Sequence, residues 1–210
     1  APPDELARRC ATLARDGWQV AVHAIGDAAA TGVLDAFEAM APADRRATRP
    51  RMEHAQMVGA RDCRRFGELG VVASIQPIHM YSDAAWLDEE LDDQQLDDLF
   101  PWRRLADSAP ILCGGSDYPI EDPNPWHAIA TAITRRDRKN RTFRPDQALS
   151  RTEALGAYTT GAARAAHWEH HLGTLDVGHL ADFCALDRDP ILCDLDELWD
   201  MRCVYLYTSG

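Results

Sequence analysis

Lysine is almost missing from this chain. Of its 22 basic residues only Lys139 is a lysine, and arginine and alanine dominate, a mark of base composition rather than of function. Positive charge is short as well: 34 acidic side chains against 22 basic ones give a formal net charge of −12. Such a chain repels phosphate backbones and anionic lipid, which argues against nucleic acid and membrane surfaces as partners. No uncharged apolar run approaches the length that spans a bilayer. The opening Ala1-Pro2-Pro3-Asp4-Glu5 has neither the basic region nor the apolar core of a secretory signal. The cysteines, at 10, 63, 113, 184, 193 and 203, include no Cys-x-x-Cys pair, and several lie in apolar runs where a reduced thiol packs as a small hydrophobe. Together these absences predict a cytoplasmic setting with no disulfide framework. The rest is ordinary for a globular chain: 210 residues, 46% hydrophobic and 27% charged, enough for one good core.

One stretch organises what is present. Ile111-Leu112-Cys113 is apolar, Gly114 and Gly115 follow, and then come Ser116 and Asp117 before Tyr118-Pro119 stops regular structure. A buried parallel strand ends this way when it delivers a carboxylate to a site at its C-terminal tip. A capping Asp at a strand-to-turn junction is the commoner meaning of such a string. Two other strand-like runs, Val20-Ala21-Val22-His23 and Arg51-Met52-Glu53-His54, end in histidine, and the run 71–76 ends three residues before His79.

In chain order, residues 3–16 read as a helix with Asp4 and Glu5 at its positive end and Gly17 past its close. Residues 18–24 read as a strand, and Asp27 as the cap of a helix with the stripe Val33, Leu34, Phe37 and Met40. Residues 42–50 read as a polar connection, 51–55 as a strand, 60–69 as a helix closed by Gly70, and 71–76 as the next strand. This βαβαβ alternation predicts a parallel sheet with helical crossovers. Residues 77–101 read as a long connection whose acidic run 88–93 is a solvated face, or a lid over a site. Helices follow at 102–108 and 125–136, with a basic polar tip at 135–144. Ser150-Arg151-Thr152-Glu153 is a capping box opening one long helix to about Trp168. Beyond His170-His171 the chain turns to short strands at 183–186 and 203–207. A boundary near 170 therefore separates an α/β part, residues 1–170, from a small β part, residues 171–210.

Imidazoles and carboxylates at the ends of separate strands suit zinc or a similar divalent ion. A carboxylate beside metal-activated water can take its proton and pass it to a leaving nitrogen. His23, His54 and Asp117 make such a set, although each alone is more often a satisfied core or surface residue.

The strings Val22-His23-Ala24-Ile25-Gly26-Asp27, Glu53-His54-Ala55-Gln56, Ser74-Ile75-Gln76-Pro77-Ile78-His79 and Gly115-Ser116-Asp117-Tyr118-Pro119 resemble the motifs of amidohydrolase family 3, a branch of the metal-dependent amidohydrolase superfamily that includes N-substituted formamide deformylase-like proteins. Residues 173–186 are similar to the segment by which those chains re-enter a β-sandwich. The resemblance implies the C-terminal half of a (β/α)8 TIM-type barrel, its strands 5 to 8, followed by part of a small β-sandwich. It implies hydrolysis of C–N bonds in small amide-type substrates with a divalent metal, zinc first among the choices. It makes His23, His54 and Asp117 the metal ligands and Asp117 the general base. His79, Tyr81 and Trp86 become substrate-facing groups, with Trp126 a further pocket wall.

The departures are as informative. The family's His-x-His pair is nowhere in this sequence, and four βα units fall short of the eight that close a barrel. The isolated chain is therefore expected to bind metal weakly or not at all and to be inactive. A different class of function stays open: a non-catalytic remnant or dimerisation module that has lost the His-x-His half of the site. Open strand edges at 20–23 and 111–115 predict self-association.

Overall fold

The computed structural model describes residues 2–208. Its described residues divide into two compact units: residues 2–75 with 87–112, and residues 76–86 with 113–208.

In the first unit, α1 (Pro3–Arg15) begins on a proline, carries Asp4 and Glu5 in its first turn, and buries Cys10 and Ala14. Gly17, at φ +85°, turns the chain out of it. β1 (Ala21–Ala24) leads into α2 (Asp27–Glu38), which buries Val33, Leu34 and Phe37. Asp27 is the first helical residue and not the cap: Gly26 occupies that position, and Asp27 Oδ1 accepts from the Ala28 amide at 2.7 Å. Residues 42–50 are not a plain connection, because α3 (Pro42–Thr48) forms there. Its Arg45 donates to the carbonyls of Phe37, Glu38 and Met40. A cation at those terminal carbonyls of α2 is the favourable end of a helix dipole.

β2 (Arg51–His54) pairs parallel with β1, Val22 level with Met52 and Ala24 level with His54. α4 (Ala60–Leu69) buries Cys63 and Phe66 and closes on Gly70 at φ +72°. β3 (Val72–Ile75) pairs parallel with β2 and is buried throughout. Burial of side chains such as Leu34, Phe37 and Phe66 is worth roughly 1.5–3 kcal/mol each.

The stretch 77–101 is helical, where the sequence suggested a long loop or a lid. α5 (Pro77–Glu90) and α6 (Asp93–Asp97) fill it, the second opened by an Asp92–Gln95 capping box. The acidic side chains of 88–93 are exposed, while Ile78, Met80, Ala84, Ala85 and Leu87 are buried. A proline in the first turn and the good helix formers Ala, Leu and Glu outweigh the charge that made the run look like a loop. α7 (Trp102–Ser108) lies against α4 at Gly67, where an added Cβ would sit 2.5 Å from the Ser108 carbonyl oxygen. The Ala73 amide then donates to the Ile111 carbonyl, at the entry to β4 (Leu112–Gly114). Strand order is β1-β2-β3-β4, so sequence neighbours are sheet neighbours, as in the wall of a (β/α) barrel.

In the second unit, α8 (Pro125–Thr134) is capped by Asn124, which accepts from the Trp126 amide, and buries Trp126, Ile129 and Ala130. The basic polar tip expected at 135–144 is exposed over residues 138–142 and anchored at its base. Arg135 and Asp137 are buried. The Asp137 carboxylate accepts from the Lys139 and Arg141 amides and from Arg141 Nε, and Arg135 Nε donates to the Phe143 carbonyl. Burial works to raise the Asp137 carboxyl, but these donors outweigh it and hold it below the usual carboxylate range. Burial brings the Arg135 guanidinium down to about 9.

The helix expected over 151–168 is broken in two. α9 (Arg151–Tyr158) opens on the Ser150–Glu153 capping box, and α10 (Thr160–Ala165) follows a break at Thr159, φ −124° and ψ −95°. Thr159 Oγ1 donates to the Leu155 carbonyl and Thr160 Oγ1 to that of Gly156. Back-bonding hydroxyls beside a glycine bend helices in this way. β5 (Phe183–Leu186) and β6 (Cys203–Tyr207), the two strands read from sequence, pair antiparallel. Every residue of β6 is exposed.

Candidate functional site

The strand-end residues fall into two groups, one in each unit. In the first, His23 is near the end of β1 and His54 ends β2. Their rings meet edge to face with centroids 4.3 Å apart. In a regular ladder His23 would be level with Glu53, and His54 would point to the opposite face. The backbone explains the meeting: His54 and Ala55 have φ of +73° and +43°, so the strand turns at the histidine. Non-glycine residues enter this left-handed region seldom and at a cost. His54 is buried and His23 exposed. Glu53, beside them in sequence, is held by Arg51 at 3.1 Å.

In the second unit, Asp117 lies three residues past β4 and again has a left-handed φ, +57°. Its carboxylate side chain is 43% exposed, and Oδ2 is 4.0 Å from Nε2 of the buried His79. The loop is anchored by Tyr158, whose hydroxyl donates to the Gly115 carbonyl at 3.1 Å. Burial first, and then the Cys113 thiol, push that hydroxyl up, so it stays a donor. Gly114 exists for this contact: an added Cβ would lie 2.3 Å from Tyr158 Cε2.

Of the other predicted residues, Trp86 is 48% exposed with its indole N–H on Asp83. Trp126 is buried. Tyr81 packs against Trp199, ring centroids 4.5 Å apart, and His127 stacks on Trp199 at 4.3 Å and 13°. Trp199 and His127 escaped the reading of the sequence. The signal for Trp199 was weak but present: Leu198-Trp199 is an apolar pair in an otherwise acidic, turn-rich tail.

Two imidazoles in ring contact are donors of the kind that zinc takes. Among the described residues, however, no group of three or more His, Cys, Asp or Glu side chains is arranged to hold a metal ion. A catalytic zinc normally has three protein ligands. The donors present therefore fit a divalent metal in kind and fall short of it in number. Among the described residues, no helix is long and apolar enough to cross a membrane.

A family model described as the amidohydrolase family matches residues 1–210. Protein LONG AFTER FAR-RED 3 of Arabidopsis thaliana is 40% identical over 190 residues, 89% of this chain and 33% of that protein. N-substituted formamide deformylase of Arthrobacter pascens is 30% identical over 210 residues, 98% of this chain and 38% of that one. The crystal structure of an uncharacterized metal-dependent hydrolase from Pyrococcus horikoshii superposes with a TM-score of 0.81 at 31% identity, over 93% of this chain and 39% of that one. This chain spans 33% and 38% of the length of these two curated relatives.

Proposed function

The chain belongs to the amidohydrolase family, and from that membership we propose that it carries strands 5 to 8 of a metal-dependent hydrolase acting on C–N bonds of small amide-type substrates. In this reading residues 1–170 are the C-terminal half of a (β/α)8 barrel and residues 171–210 part of a β-sandwich. Four strands in sequential order support the first assignment, and the antiparallel pair β5–β6 supports the second. The observation that carries the proposal is the pair of histidines, brought into ring contact where two adjacent parallel strands end. Barrel enzymes keep their chemistry at that end.

His23, His54 and Asp117 are the metal-binding residues of this reading, with ligands beyond these required to complete the centre. When bound, zinc or a similar divalent cation supplies Lewis acidity that brings the pKa of water down toward neutrality. Asp117 accepts the proton of the attacking water at a carboxylate oxygen and returns it to the departing nitrogen. His79, 4.0 Å from that carboxylate, orients it against the substrate, and Tyr81 and Trp86 face the substrate's body. A cytoplasmic setting accords with the free cysteines.

The second reading, a non-catalytic remnant or dimerisation module, is favoured by the lack of a three-ligand group among the described residues. Metal analysis after dialysis, beside an assay for hydrolysis of N-formyl and N-acyl amines, separates the two. Turnover in the polypeptide that carries these residues, abolished by Asp117→Asn with the fold intact, supports the hydrolase. A longer polypeptide that supplies the remaining ligands and still neither holds metal nor turns over any such amide refutes it, whereas inactivity of this chain alone is the expected result.

A further inference from the structure

The second unit contains a cavity of about 270 Å³ whose lining includes Tyr81, Thr131, Arg136, Asp137, Arg138 and Trp199. Much of its polar wall is already committed. The hydroxyls of Thr131 and Thr134 donate to the carbonyls of His127 and Ala130. The Asp137 carboxylate is taken by the Lys139 amide and by Arg141, and Asp196 is ion-paired with Arg136. Both carboxylates of the lining are therefore neutralised. Among the uncommitted groups, the Tyr81 hydroxyl, the Trp199 indole N–H and the Arg138 guanidinium are donors and the Asn140 carboxamide can donate or accept, and none of the four has a side-chain hydrogen bond or ion pair among the described residues. Tyr81 and Trp199 pack on each other and His127 stacks on the same indole, so the rings form one fixed aromatic wall of the cavity.

We propose that this cavity binds a small carboxylate carried on a single ring or an equally compact apolar body, its carboxylate on Arg138 and the two neighbouring donors and its body on Tyr81 and Trp199. The class follows from the balance of groups. Unspent donors beside neutralised carboxylates call for an acceptor with negative charge, and the flat guanidinium matches the two oxygens of a carboxylate. Aromatic faces take a flat apolar body. About 270 Å³ lies just under the usual range of roughly 300–1,000 Å³ for ligand pockets, which limits the body to about one ring. The inference rests on the hydrolase reading only for what the ligand is: with Tyr81 facing substrate, the carboxylate is the non-reacting end of that substrate. Its binding needs neither metal nor turnover, so the two proposals fail separately.

The test is a calorimetric titration of the full chain with benzoate, with benzamide as the neutral compound of equal shape. Benzoate is expected to saturate with a Kd on the order of 1 mM or tighter, as suits so small a ligand, and benzamide to bind at least about tenfold more weakly. Arg138 is exposed, so Arg138→Gln leaves the fold intact and is expected to weaken benzoate about tenfold. Tyr81→Phe keeps the ring on Trp199 and is expected to cost a smaller factor, about three to ten. Equal affinities for benzoate and benzamide, no saturation at millimolar concentrations, or an Arg138→Gln protein that binds as before would each overturn the proposal. Benzoate binding to a chain with no amidase activity sustains it and leaves the hydrolase reading to its own test.

Discussion

Replacing Gly114 by alanine places one methyl group where the Tyr158 ring already is. The added Cβ would lie 2.3 Å from Cε2, 2.6 Å from Cζ and 2.8 Å from Cδ2. Carbon atoms rest at about 3.5–4.0 Å, so ring and strand must separate by more than about 1 Å. Tyr158 is poorly placed to yield, because its hydroxyl is tied to the Gly115 carbonyl at 3.1 Å. Overpacking of this kind costs about 1–3 kcal/mol. Loss of the tyrosine hydrogen bond adds about 0.5–1.5 kcal/mol. Gly114→Ala should therefore destabilise the second unit by about 2–4 kcal/mol. At about 2–4 °C per kcal/mol for a chain of this size, its Tm falls by roughly 5–15 °C.

The control is Tyr158→Leu, which removes the ring atoms that clash. In that background the Gly114→Ala step should cost less than about 1 kcal/mol, an interaction energy typical of contacting residues. Urea unfolding followed by near-UV and far-UV circular dichroism measures all four proteins of the cycle. A Gly114→Ala protein within about 0.5 kcal/mol of the parent, or a penalty of equal size in both backgrounds, would show that the close approach of strand and helix is not what requires glycine here.

Two further outcomes are expected. Cys63 is pushed up to about 12 by burial first, with Arg104 acting against it. Stability that depends on its neutral thiol is thus complete below about pH 8.5, where the unfolded thiol titrates, and declines as pH rises toward 12. In mass spectrometry after iodoacetamide at pH 8.5, the exposed Cys184 and Cys203 should be modified while Cys63 is spared, and equal labelling would contradict its burial. The chain should also self-associate, because among the described residues β1 pairs only with β2, leaving an open edge, and parallel strands seldom remain uncovered. A stable monomer by light scattering at tens of micromolar, roughly the range in which exposed edges associate, refutes that.

Where local pattern and tertiary packing agree, the sequence was enough. α4 and α7 occupy the predicted residues because an apolar stripe runs into a strong stop or start: Gly70 after one, Pro101 before the other. β5 and β6 were visible as apolar runs between turns. The misreadings share a cause, which is charge or polarity judged without its partners. The acidic run 88–93 read as a loop because its charges face solvent while Ile78, Met80 and Ala84 carry the burial. At 135–144 the basic polar tip was legible, but nothing local says that Asp137 will collect the Arg141 guanidinium and two amides. Strand-end histidines were legible by position. The cavity was not, because Tyr81, Thr131 and Trp199 are brought together from distant parts of the chain.

Backbone angle is the other quantity that residue type conceals, and at Asp117 it yields a test. Asp117 holds φ +57° in an exposed loop, supported by the Ile120 amide donating to its carbonyl at 2.9 Å. A left-handed residue with a Cβ costs roughly 1–2 kcal/mol, less for Asp, and glycine avoids the cost. At an ordinary position alanine is more stable than glycine by about 0.5–1 kcal/mol, because glycine loses more chain entropy on folding. At Asp117 the order should invert. Both variants remove the carboxylate, so they differ in backbone freedom alone. Asp117→Gly is expected to exceed Asp117→Ala in stability by about 0.5–1 kcal/mol, the αL penalty less the entropy term. Both should lack whatever activity the carboxylate supports. Non-glycine residues are held in such conformations chiefly where their side chains are used, so the inversion would mark Asp117 as a residue kept for its carboxylate against the preference of the fold. If alanine equals or exceeds glycine there in urea unfolding, the left-handed turn imposes no cost, and this argument for the site is lost.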